Sequence, residues 1–81
     1  MNKYKCPCCG YFTLSEKPPG TYEICPVCLW EDDPVQFKDS DYEGGANHVS
    51  LNQCKANFSQ FGASRKDRLP HVRKPLDSEK E

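Results

Sequence analysis

Two cysteine-rich turns decide the fold of this chain: Cys6-Pro7-Cys8-Cys9-Gly10 and Cys25-Pro26-Val27-Cys28. Each turn contains a Cys-x-x-Cys pair, and fifteen residues separate the two pairs. Two such turns can aim four sulfurs at one point, and this spacing is at the short end of the range typical of zinc sites. The sequence therefore predicts a structural zinc site whose ligands are Cys6, Cys9, Cys25 and Cys28. Iron can bind the same four sulfurs, as in rubredoxin-like sites, and stays open as the alternative metal.

The two turns differ in the residue that follows each pair. Gly10 follows the first pair, and a glycine can adopt a positive φ that lets the backbone turn and direct its N–H groups at the sulfurs. Leu29 follows the second pair, where no glycine is present. The first turn is therefore the more specific signal.

Six cysteines in 81 residues also allow three disulfides. That alternative needs an oxidising compartment, and residues 1–5 contain no apolar segment of a secretory signal. A thioredoxin-like redox motif would need a βαβ setting, and no helical pattern directly follows Cys9 or Cys28. No apolar run is long enough to cross a membrane, so we expect a cytoplasmic protein.

The composition predicts a single domain that depends on its metal. Hydrophobic residues make up only 36% of the chain and charged residues 28%, so the apolar core is thin for this length. A structural zinc can add on the order of 10 kcal/mol of coupled binding and folding free energy. We expect the metal-free chain to be largely unfolded around residues 4–30.

The pattern around the turns predicts a small α+β domain with zinc-ribbon or rubredoxin-like strands. Residues 11–14 and 21–24 are rich in aromatic and β-branched side chains, as short strands are, and a Pro-Gly-containing loop separates them. We expect one domain over residues 1–74, followed by a flexible tail at residues 75–81.

The second half of the chain predicts one α-helix that docks on the ribbon. Ser50 with Gln53 three residues later is typical of a helix start, and Gly62 marks its end. Apolar side chains recur at helical spacing between them, at Leu51, Cys54, Phe58 and Phe61. A second short helix from about Arg65 to Leu69, stopped by Pro70, is also expected.

Three further side chains near the turns have predicted roles. Cys8 lies at the tip of the first turn, where we expect a partly exposed thiol. Cys54 lies on the apolar face of the helix, so we expect a small core residue and not a ligand. Trp30 follows the second turn, and we expect it to cover the cysteine cluster and the small core.

Charge is unevenly distributed along the chain. The acidic segment, residues 31–43, has six carboxylates against one lysine, and the basic segment, residues 64–74, has five Lys and Arg against one Asp. We expect the acidic segment to be a solvated loop that pairs with the basic segment, within the domain or between copies. A nucleic-acid-binding zinc ribbon is an alternative, but the net charge is −1 and the basic segment has no Phe, Tyr or Trp for base stacking.

Taken together, several motifs resemble the bacterial CPCC family of small cysteine-rich proteins. The resemblance rests on segments 6–11, 22–28, 30–34, 44–47 and 72–75, which read CPCCGY, YEICPVC, WEDDP, GGAN and VRKP. It implies a bacterial cytoplasmic protein with a zinc-ribbon core, and it implies the same four cysteines as metal ligands. It implies little about activity.

Two classes of function follow from these observations. The first is a non-enzymatic zinc-binding adaptor, monomeric or weakly self-associating, that presents Trp30 and the acidic segment to a protein partner. A four-cysteine site has no open position for a catalytic water, and we assign no catalytic residues. The second is a thiol or metal-dependent redox protein that uses Cys8, with His48 or His71 as a partner.

Overall fold

A two-stranded antiparallel sheet flanks the first cysteine turn. The structure is a computed structural model that describes residues 3–80. Strand β1 (Tyr4–Lys5) enters the turn and strand β2 (Phe12–Leu14) leaves it, which confirms the strand predicted at residues 11–14. Tyr4 pairs with Leu14 and Lys5 with Phe12, so Thr13 is the extra residue of a β-bulge. A bulge redirects a side chain out of the normal alternation of a strand.

The strand predicted at residues 21–24 is wrong as a regular element. Ile24 forms a single antiparallel bridge with Glu31, although backbone hydrogen bonds from Tyr22 to Asp32 and from Asp32 to Glu23 extend the pairing. Tyr22 has a φ of 55°, in the left-handed region. Because a strand needs extended backbone at each residue, this conformation interrupts it.

Helix α1 (Pro34–Lys38) lies within the acidic segment, where we expected a loop. The Asp33 side chain caps it and accepts a hydrogen bond from the Val35 N–H at 2.7 Å. Proline suits the first helical position, because the N–H that it lacks has no partner inside a helix. The Asp33-Pro34 pair is therefore a helix-start signal, and the prediction of a loop did not take it into account.

Helix α2 (Leu51–Phe61) confirms the helix predicted between Ser50 and Gly62. The Ser50 hydroxyl accepts a hydrogen bond from the Gln53 N–H at 3.0 Å. Gly62 ends the helix with a φ of 92°. Local sequence signals therefore define both ends of this element.

The chain after α2 departs from the predicted short α-helix. A 3₁₀-helix spans Lys66–His71, and Pro70 lies inside it instead of ending it. The Pro70 nitrogen has no hydrogen, so it donates no hydrogen bond within this helix.

A second 3₁₀-helix, Asp77–Glu79, lies next to β2. The buried Glu79 carboxylate accepts two hydrogen bonds from the Arg73 guanidinium, at 2.9 and 2.8 Å. Part of the segment expected to be a tail thus contacts the domain. Its flexibility and the boundary at residue 74 stay predictions.

The core is small and surrounds the cysteine side chains. It contains Leu14, Val27, Trp30 and Leu51 together with buried cysteines. Trp30 is 1% exposed, which agrees with its expected role as a cover and corrects the idea that it is presented to a partner. No helix among the described residues is long and apolar enough to cross a membrane.

Buried polar side chains organise the acidic segment, which corrects the expectation of a solvated loop. Asp32 and Asp33 are buried, and so is Gln36. The two N–H hydrogens of the Gln36 amide are shared among the backbone carbonyls of residues 42, 47 and 49, and its oxygen accepts from the Asn47 backbone and side chain. The Asn47 side chain in turn pairs with the backbone N–H and C=O of Glu31. Segments 30–34 and 44–47, both part of the family resemblance, thus form one hydrogen-bonded unit.

The expected pairing of the acidic and basic segments within the domain is not observed. Among residues 3–80, the three ion pairs are Arg65 with Asp67, Arg73 with Glu79, and Lys80 with Asp77. All three lie within the last seventeen residues of the chain. The carboxylates of the acidic segment instead accept hydrogen bonds from uncharged groups, such as Thr21 and the Ala46 backbone N–H, or face solvent.

Candidate metal centre

The four cysteines predicted as ligands converge on one point. The sulfurs of Cys6, Cys9, Cys25 and Cys28 all lie within 4.8 Å of one another. The Cys6 and Cys28 sulfurs are 3.6 Å apart, and those of Cys9 and Cys25 are 3.7 Å apart. Four sulfurs about 2.3 Å from a central ion would form a tetrahedron with edges of about 3.8 Å. The cluster therefore has the dimensions and the soft donors that suit a thiophilic metal ion.

The two turns that supply the sulfurs have the same backbone hydrogen bonds. In the first turn, the Gly10 N–H donates to the Cys6 carbonyl at 2.9 Å, and the Cys6 N–H donates to the Tyr11 carbonyl. In the second, the Leu29 N–H donates to the Cys25 carbonyl at 2.8 Å, and the Cys25 N–H donates to the Trp30 carbonyl. The site is therefore built from two copies of one local structure.

Leu29 occupies the position of Gly10 in this repeated structure. Gly10 has a φ of 82° and Leu29 a φ of 67°. The second turn therefore adopts the left-handed conformation without a glycine, which costs about 1 kcal/mol or more for a residue with a β-carbon. The absence of a glycine after Cys28 made this turn the weaker signal in the sequence, yet its geometry is equivalent.

Two hydrogen-bond donors support the sulfurs. The buried Thr13 hydroxyl donates to the Cys25 sulfur at 3.0 Å, and the backbone N–H of Trp30 donates to the Cys28 sulfur at 3.4 Å. The β-bulge in β2 accounts for the direction of the Thr13 side chain. Donors of this kind orient thiolate ligands and offset their negative charge. The sequence analysis missed Thr13, because a bulge cannot be read from the alternation of side chains.

The surroundings of the Cys25 sulfur favour loss of its proton. Hydrogen bonds from the neighbouring Cys28, Cys6 and Cys9 thiols lower the pKa of Cys25, and the Thr13 hydroxyl contributes to the same effect. These hydrogen bonds favour the thiolate form of Cys25. A thiolate is the form that binds a metal.

The two remaining cysteines form a disulfide between Cys8 and Cys54. Cys8 is 7% exposed and Cys54 is fully buried. The expectation of a partly exposed Cys8 thiol is therefore wrong, because the tip of the first turn packs against α2. Cys54 is a core residue as expected, but it is bonded and not a free thiol. Two cysteines 46 positions apart carry no local signal that they meet.

The histidines suggested as partners of Cys8 lie in a different environment. His48 and His71 are exposed, whereas the Cys8 sulfur is buried and bonded. A reacting pair needs both groups within hydrogen-bond reach of one substrate. The arrangement therefore offers no free Cys8 nucleophile.

The chain after α2 is attached to the second cysteine turn. The Ser64 N–H donates to the Cys28 carbonyl at 2.8 Å, and the Arg73 N–H donates to the Pro26 carbonyl at 3.3 Å. The disulfide attaches α2 to the first turn. Each turn is thus held by a different part of the C-terminal half of the chain.

The sequence profile of the cysteine-rich CPCC proteins matches residues 4–79. No curated protein matches the chain. The matched range contains both cysteine turns, the disulfide and the buried acidic segment. From the paired turns and this nearly complete match, we conclude that the chain belongs to the cysteine-rich CPCC family.

Proposed function

We propose that this protein holds one zinc ion in a structural site formed by Cys6, Cys9, Cys25 and Cys28, and that the zinc-ribbon-like domain serves as a protein-interaction or adaptor module. The observation that carries the metal proposal is the set of sulfur distances, 3.6 and 3.7 Å across the two turns, within a cluster no wider than 4.8 Å. Four protein ligands complete the tetrahedral coordination of zinc. Such a site stabilises a fold and leaves no position for a reacting water.

The adaptor proposal is supported by surface residues other than those first considered. Trp30, Asp32 and Asp33 are buried and are not available to a partner. Large apolar side chains that do reach the surface include Ile24 at 56% and Val35 at 54% exposed. These side chains, together with the exposed carboxylates of residues 39–43, are the groups that a partner would meet.

Metal analysis tests the zinc proposal directly. The protein is purified without added metal, and elemental analysis is combined with a count of free thiols after unfolding in a chelator. We expect one zinc per chain and four free thiols, together with loss of zinc and of folding in Cys25→Ser. Cys8→Ala/Cys54→Ala is the matched control, because it removes two cysteines and leaves the cluster intact. One iron per chain would replace zinc in the proposal, and a metal-free folded protein would refute it.

A second candidate is a thiol redox function, which the Cys8–Cys54 bond favours. Disulfides in a reducing cytoplasm are usually transient and redox-active. We infer a cytoplasmic location, where Cys8 and Cys54 would be thiols in the cell and would join on oxidation, including exposure to air during purification. Thiol trapping in intact cells, before and after an oxidant, tests this candidate. A bond that is fully formed at all times would instead indicate an oxidising compartment.

A further inference from the structure

A cleft of about 230 Å³ lies beside the second cysteine turn. Its apolar lining comes from Ile24, Leu29, Ala46 and Val49. Polar groups from Asn47, His48 and Ser64 complete the walls. The cleft is smaller than the 300 to 1,000 Å³ typical of sites for drug-sized ligands, so its size suits one amino-acid side chain with its backbone.

Leu29 is the residue of the cleft that the fold alone does not explain. Its counterpart in the first turn is Gly10, which adopts the same left-handed backbone without strain. The Leu29 side chain lies outside the buried core cluster and lines the cleft instead. Strained residues of this kind concentrate at binding and catalytic sites. The side chain of Leu29 thus supplies an apolar part of the cleft wall, which a glycine could not supply.

Two arginines place positive charge at the cleft. Arg65 and Arg68 both line it, and Glu31 is the one acidic lining residue. Arg65 uses its Nε and one Nη2 hydrogen on Asp67, which leaves its Nη1 hydrogens for another acceptor. The Ser64 N–H bond to the Cys28 carbonyl fixes this segment against the second turn. A guanidinium is well suited to bind a carboxylate through paired hydrogen bonds.

We propose that this cleft binds the C-terminal residue of a protein partner, with an apolar last side chain against Leu29 and the terminal carboxylate on Arg68 and Arg65. Capture of a chain terminus is a known mode of peptide recognition. Glu31 would repel a carboxylate on the last side chain of the partner, so we expect that side chain to be apolar and not acidic. This inference names the partner chemistry for the adaptor function proposed above and rests on that function.

The test uses the zinc-loaded full chain, with N-acetyl-leucine as the probe and N-acetyl-leucinamide as the uncharged analogue. In a ¹⁵N NMR titration, we expect the acid to shift the amide signals of residues around Leu29 and Val49 with millimolar affinity. The amide should bind at least about 10-fold more weakly, because it lacks the charge that the arginines bind.

Variants separate the cleft from its surroundings. Leu29→Gly should abolish binding while zinc is retained, since glycine suits the backbone of this turn. Arg68→Gln should weaken binding of the acid about 10-fold or more. Lys66→Gln is the matched control, because it removes a positive charge from the same 3₁₀-helix outside the cleft lining.

The inference would be overturned by equal binding of acid and amide, by signal shifts confined to other surfaces, or by an effect of Lys66→Gln as large as that of Arg68→Gln; absence of binding would overturn it as well. Zinc content is measured on the same samples. Zinc-loaded protein that binds neither probe refutes the cleft and leaves the metal proposal intact. Selective binding of the acid by a metal-free chain supports the cleft and refutes the zinc centre.

Discussion

Opening the bond between Cys8 and Cys54 should lower the free energy of unfolding by about 4 kcal/mol. The bond closes a loop between residues 46 positions apart. In the chain-entropy description, a loop of this length restricts the unfolded chain by about 4 kcal/mol at 25 °C. Small domains have total stabilities of about 5 to 15 kcal/mol, so the bond would supply a large share.

The effect on α2 should exceed the effect on the rest of the fold. The buried side chains of α2 are Leu51 and Cys54, and one of the two, Cys54, is held by the disulfide. The edge-to-face contact of Tyr11 with Phe58, 6.1 Å between ring centroids, remains after the bond is opened. Hydrogen exchange should therefore speed up in α2 more than in the cysteine turns.

The assay is urea unfolding at a fixed, saturating zinc concentration, because metal binding adds to the apparent stability. Wild type with and without a phosphine reductant is compared with Cys8→Ala/Cys54→Ala. Reduction keeps both sulfurs in the core, so it isolates the cross-link, whereas the double variant also removes their packing. We expect the urea midpoint to fall by about 2 to 4 M on reduction, given typical slopes of about 1 to 2 kcal/mol per molar urea, and to fall further in the double variant. A loss below about 1 kcal/mol on reduction would refute the reasoning.

Three further predictions concern single side chains. Gly45→Ala should destabilise the domain by about 1 to 3 kcal/mol in urea unfolding, because an added β-carbon would lie 2.6 Å from the Asp33 carboxylate. Ala46→Gly is the control. Unchanged stability of Gly45→Ala would contradict the close packing of Gly45 on Asp33. Thr13→Val should weaken zinc binding about 10- to 100-fold in competition with a chromophoric chelator, since it removes the hydrogen bond to Cys25, and unchanged affinity would show that this bond is dispensable. Burial raises the pKa of the Asp33 carboxyl, but hydrogen bonds from the backbone N–H groups of residues 46, 36 and 35 outweigh this effect. They hold the pKa below its usual value near 3.9. The stability that this carboxylate adds is therefore present above about pH 4 and is lost as the pH falls through the lower folded pKa. Asp33→Asn should flatten this part of the stability curve measured by thermal unfolding, and an unchanged acid dependence would exclude Asp33 as its source.

The features that the sequence predicted are those encoded locally. Each Cys-x-x-Cys pair forms a turn by itself, so the convergence of two such turns followed from their spacing alone. Helix α2 was predicted to within a residue at both ends, because Ser50 and Gly62 act on their immediate neighbours. Trp30 was correctly expected in the core.

The features that the sequence did not predict depend on long-range contacts. Cys8 and Cys54 meet only when α2 is docked, so neither residue by itself indicates a bond. From the sequence, the carboxylates of Asp32 and Asp33 were expected on the surface. In the structure, Thr21 donates hydrogen bonds to Asp32 and the Ala46 backbone N–H donates one to Asp33. A positive φ at Leu29 contradicts the usual preference of that residue, and only the matching turn at Gly10 explains it.

Gln36 has a consequence for where this chain tolerates insertions. Its amide joins three backbone carbonyls that lie within residues 42–49, a stretch whose composition is typical of a linker. An epitope tag or a protease recognition site placed there would separate Gln36 from these carbonyls and expose a buried amide. The exposed residues 16 and 17 offer a better position for a label, since their side chains face solvent. The least regular part of the chain is therefore among the least permissive.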